Sequence, residues 1–148
     1  MGLFDKFSTV RTQEASILSP AEAFAGILLV ATAADGYIAK EEAQIVVSTL
    51  HRMQLFQGYP ADHLSRMINK LMRIIQTQSS DKLLKFSIDS LPEYLHATAF
   101  SIATDIVLAD GEVTRQEEAI LSKLSNALRI SQETVNKIIE VMIIKNKG

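Results

Sequence analysis

Two short acidic segments hold most of the residues whose type and spacing could do chemistry. The run Ala34-Asp35-Gly36-Tyr37-Ile38-Ala39-Lys40-Glu41-Glu42 aligns with Ala109-Asp110-Gly111-Glu112-Val113-Thr114-Arg115-Gln116-Glu117, so that Asp35 and Asp110, like Glu42 and Glu117, stand 75 positions apart. Counting Asp105 and Glu118, eight carboxylates crowd these two segments. Carboxylate oxygens and turn carbonyls are hard ligands suited to calcium, magnesium or manganese. The spacing invites comparison with a calcium-binding EF-hand loop, which needs oxygen ligands at positions one, three and five, glycine at six, an aliphatic residue at eight and glutamate at twelve. Placing Asp35 at five puts Gly36, Ile38 and Glu42 in register, but positions one and three become Ala31 and Ala33. In the second copy they become Ile106 and Leu108. Side chains without oxygen cannot coordinate calcium, and both copies fail in the same way, which excludes a standard EF-hand.

A structural role accounts for the same residues. Aspartate and glycine stop one helix, Ile38 or Val113 plugs the core, and Glu42 or Glu117 caps the helix that follows. Metal binding and capping both remain open on these residues.

Other chemistry is poorly represented. With Cys 0 the chain has no thiolate ligand, disulfide or cysteine nucleophile. His51, His63 and His96 lack metal-ligand spacing, the six glycines are scattered rather than gathered into a phosphate loop, and the serines mostly read as helix caps. An enzyme is therefore not expected. His63, Arg66, Lys70 and Arg73 recur at three- and four-residue steps, which gives either a solvated face or a contact surface for an acidic partner or anionic headgroups. A net charge of -2 offers no general attraction to nucleic acid, and none is expected as a partner.

These residues need helices to position them. Hydrophobic periodicity is helical throughout, and Gly 6 and Pro 3 leave few breaks. Residues 1–18 read as an N-terminal arm and 19–148 as one helical domain. Ser19-Pro20-Ala21-Glu22 opens a buried helix that runs to about residue 34. Further helices are expected over about 40–55 and 61–77, from a cap at Ser79 or Ser80, from near Pro92 to Asp110-Gly111, from Thr114, and from Ser131. The third places Leu64, Met67, Ile68, Leu71 and Ile75 on one face. The expectation is an all-α, single-domain bundle of about seven helices containing two pseudo-repeated helix–turn–helix units. Those units could pack with their buried helices side by side about a pseudo-two-fold axis. The apolar end, Val141 to Ile144, is expected to close the core in preference to making a dimer contact.

The doubled Ala-Asp-Gly-x-Ile/Val-x-x-x-Glu element on apolar helices resembles the TerB-like family, named for a tellurite-resistance protein and related to the amino-terminal domain of a DnaJ-type co-chaperone. The resemblance runs from about Ser19 to Ile144 and is most specific over residues 102–128; the opening Met1-Gly2-Leu3-Phe4-Asp5-Lys6 shares it. It implies a helical bundle, a bacterial setting of metal-oxyanion or envelope stress, and metal association through acidic residues. Carried onto this chain, the implied ligands are Asp35, Glu42, Asp110 and Glu117, with a divalent cation (calcium, magnesium or manganese) as the only cofactor. Ala39 departs from the pattern, standing where the second copy has a capping Thr114.

The resulting expectation is a non-enzymatic, cytoplasmic stress-response binding module, at most peripheral at the inner membrane face. Its partners would be a protein of a stress-response system, a membrane surface or a second copy of itself, with Arg66, Lys70 and Arg73 as the contact residues. The alternative is a scaffold or adaptor that works without metal.

Overall fold

The computed structural model describes residues 18–33, 38–109 and 111–147. Among them are seven α-helices and no strand: α1 (Pro20–Thr32), α2 (Lys40–His51), α3 (Ala61–Thr77), α4 (Ser80–Ser90), α5 (His96–Leu108), α6 (Arg115–Ala127) and α7 (Gln132–Lys145). Two single-turn 3-10 helices, Gln54–Phe56 and Glu93–Leu95, lie before α3 and α5.

The start of α1 is set by a reciprocal cap. The Ser19 hydroxyl accepts from the Glu22 amide at 3.1 Å, and Glu22 Oε1 accepts from the Ser19 amide at 3.0 Å. Beyond that cap α1 is apolar on all sides, and ten of its thirteen residues are buried. A helix with no polar face must be surrounded, and α1 is covered by α4 and α5 with further contacts from α2, α3 and α6. Phe24 meets Phe56 edge-on at 6.3 Å, and the aromatic chain continues through Tyr59 to His63. Leu18, the last residue of the expected arm, is buried and donates its amide to Ser90 Oγ at 3.1 Å.

The remaining helices close around this centre. α3 buries Leu64, Met67, Ile68 and Leu71, as its periodicity requires. α4 starts at Ser79, whose hydroxyl accepts from the Lys82 amide at 3.0 Å. His96 is half-buried at the head of α5, with Nε2 3.0 Å from the Leu91 carbonyl and Nδ1 3.2 Å from the Leu128 carbonyl, linking the ends of α4 and α6.

α7 differs from expectation. Val135 is buried, but Val141, Ile143 and Ile144 are exposed and do not close the core. The end of the helix is instead fastened to α5 through Asp105, which accepts from Lys145 Nζ at 3.2 Å and Asn146 Nδ2 at 2.9 Å.

Candidate functional site: the cavity between the two acidic units

The two copies begin their second helices with nearly the same backbone. Ala39 has φ -73° and ψ 155°, and Thr114 has φ -74° and ψ 166°. In the second copy the cap is reciprocal: Glu117 Oε1 accepts from the Thr114 amide at 2.9 Å, and the Thr114 hydroxyl accepts from the Glu117 amide at 3.1 Å. In the first, Glu42 Oε1 accepts from the Ala39 amide at 2.9 Å, but alanine has no oxygen to return the bond. Before the second helix Gly111 takes φ +83° and donates its amide to the Leu108 carbonyl at 3.1 Å, the left-handed stop expected at that position.

Both glutamates line one cavity of about 180 Å³. Ala31, Thr32, Ile45, Ile106, Val107 and Ala109 complete its wall. Ala31 is the counterpart of Ile106, Thr32 of Val107, and Glu42 of Glu117, all in the same 75-residue register. The cavity therefore sits where the two units meet, with α1 packed against α5. Apart from the carboxylates, the wall's polar side chain is Thr32, whose hydroxyl donates to the Leu28 carbonyl at 2.8 Å.

Of the four implied ligands, the structure brings Glu42 and Glu117 together, while Asp35 and Asp110 lie outside the described residues. Asp105, one of the crowded carboxylates of the sequence, is turned to α7 instead. Among the described residues no group of three or more His, Asp or Glu side chains gathers in a geometry able to hold a metal. The described donors are thus two carboxylates, each with one oxygen committed to a helix cap. The apolar lining of the cavity was less legible than the glutamates, because its residues read only as helix core.

The basic face of α3 is a separate feature. Tyr59, His63, Arg66, Met67 and Lys70 border an open cavity of about 430 Å³ together with Ser19 and Glu22. Lys70 Nζ lies 2.6 Å from Glu22 Oε2, and Arg66 pairs weakly with Asp62 at 3.7 Å between two exposed side chains. Arg73 is exposed one turn further on and has no ion pair among the described residues.

The fold and cavity define an all-helical protein of two related units joined at an acidic seam. The family model described as "Tellurite resistance protein TerB" matches residues 21–139, and the chain belongs to that family. Comparisons with curated proteins and with solved structures gave no match. No helix among the described residues is long and apolar enough to cross a membrane.

Proposed function

We propose that this TerB-family protein is a non-enzymatic binding module of a cytoplasmic stress response, and that a hard divalent cation joins its two units at Glu42 and Glu117. The observation that carries this reading is the shared cavity, lined by equivalent residues of both copies. Each carboxylate has one oxygen held by its helix cap and a second left over, so a cation between the two would offset their like charges. Two carboxylates suit a cation that keeps several of its waters, which is the habit of magnesium more than calcium. Glu42 and Glu117 would hold the ion through the oxygens not used in capping, and the ion would supply a cross-link between units.

Calorimetric titration and thermal melts with magnesium, calcium and manganese test the proposal. The informative variants are Glu42→Gln and Glu117→Gln, because glutamine retains the capping oxygen and loses the charge. Binding heat and a raised melting temperature, both lost in the double variant, are expected. Absence of heat and of any melting shift at millimolar metal would reject the cation. A second reading, an adaptor contacting an acidic partner or anionic membrane surface, is supported by the exposed Arg73 beside Arg66 and Lys70.

A further inference from the structure

The outer face of α7 carries a self-complementary pattern. Ile143 and Ile144 are 47% and 61% exposed, although the helix beneath them is anchored by buried Val135 and by the clasp of Lys145 and Asn146 on Asp105. A shallow groove of about 410 Å³ runs along this face beside Ile139, Glu140, Ile143, Ile144 and Lys147. Glu140 lies in α7 and Lys147 just past its C-cap Asn146; both are exposed and both border this groove, one before and one after Ile143 and Ile144 in the chain.

We propose that two copies of this chain dimerise through α7, antiparallel about a two-fold axis passing between Ile143 and Ile144. The axis sets Ile143 against the partner's Ile144 and Glu140 against the partner's Lys147, and symmetry repeats both contacts. A parallel arrangement would instead place glutamate against glutamate and lysine against lysine. The two isoleucines form the apolar centre, and the opposite charges on either side fix direction and register. With one helix contributed per copy the contact is small, so assembly depends on protein concentration.

Sedimentation equilibrium of the full chain over a wide concentration range tests the inference. The expected mass rises toward twice that of one chain. Ile144→Glu should abolish the rise. Glu140→Lys alone and Lys147→Glu alone should each weaken association at least about fivefold by setting like charges together. The combined swap should restore it to within about twofold of the original, since the same pairs re-form with reversed sign. Thermal melts of the same samples confirm that each variant is folded. A mass of one chain at every concentration up to about 1 mM, where binding worth some 4 kcal/mol would be visible, overturns the proposal. So does a dimer that survives Ile144→Glu, or one that the charge swap fails to restore.

Discussion

Gly26 of α1 and Ser87 of α4 meet so closely that a β-carbon built on the glycine would lie 2.2 Å from the serine hydroxyl oxygen. Leu83 Cδ1 and Ser87 Cβ would be 3.3 and 3.4 Å away, and Ser87 is fully buried with no hydrogen-bond partner for its hydroxyl among the described residues. The close crossing of the two helices therefore depends on an absent side chain at one position and a small one at the other.

Gly26→Ala should destabilise the fold by about 1–3 kcal/mol, because the added methyl overpacks a crossing that has little room to relax. Ser87→Ala alone should be neutral or slightly stabilising, since it removes a buried hydroxyl that makes no bond. Placing both substitutions in one chain should recover most of the loss. Urea unfolding of the four proteins measures the coupling, and strict additivity would show that the hydroxyl is not the obstacle.

The two helix starts lead to paired predictions. Thr114→Ala should cost about 1 kcal/mol by removing a hydroxyl that satisfies the Glu117 amide. Ala39→Thr should stabilise by about 0.5–1 kcal/mol, because the backbone there already has the conformation of the second copy and lacks only the returning oxygen. Thermal melts in the absence of added metal read both effects. A destabilised Ala39→Thr protein would show that the first turn has no room for the side chain.

Glu22 makes stability depend on acid. Burial pushes its carboxyl upward, but the hydrogen bond from Lys70, the Ser19 amide, the charge of Lys70 and the Ser19 hydroxyl together hold it below its ordinary value of 4.5. A carboxyl lowered in the folded state favours folding above its unfolded value, and that contribution disappears as pH falls through the lower folded value. Lys70→Met should therefore leave a smaller loss of melting temperature between neutral pH and the acid range below 4.5. An unchanged pH profile would show that Lys70 does not support the ionised form.

Local signals carried much of this architecture. Ser19, Pro20 and Glu22 mark the first helix start, Thr114 and Glu117 the sixth, and the continuous apolar character of α1 already requires it to be central. The 75-residue register identified Glu42 and Glu117 as equivalents, but equivalence in a repeat does not fix a distance; only the packing of α1 on α5 brings both to one cavity. Arg129 takes φ +55° after α6, a position that usually selects glycine. Nothing in its residue type announces that conformation; the Ile130 amide bonding back to the Ser125 carbonyl at 3.0 Å holds it there. The exposure of Ile143 and Ile144 was equally hidden, since an apolar run looks the same whether it meets the core or solvent.

The enclosure of α1 has a consequence for how the protein is made. This helix leaves the ribosome before every helix that covers it, and its apolar sides stay uncovered until α4, α5 and α6 have been synthesised. Its central position therefore leaves apolar surface of the nascent domain open until those later helices follow, and the second half of the domain supplies the final protection.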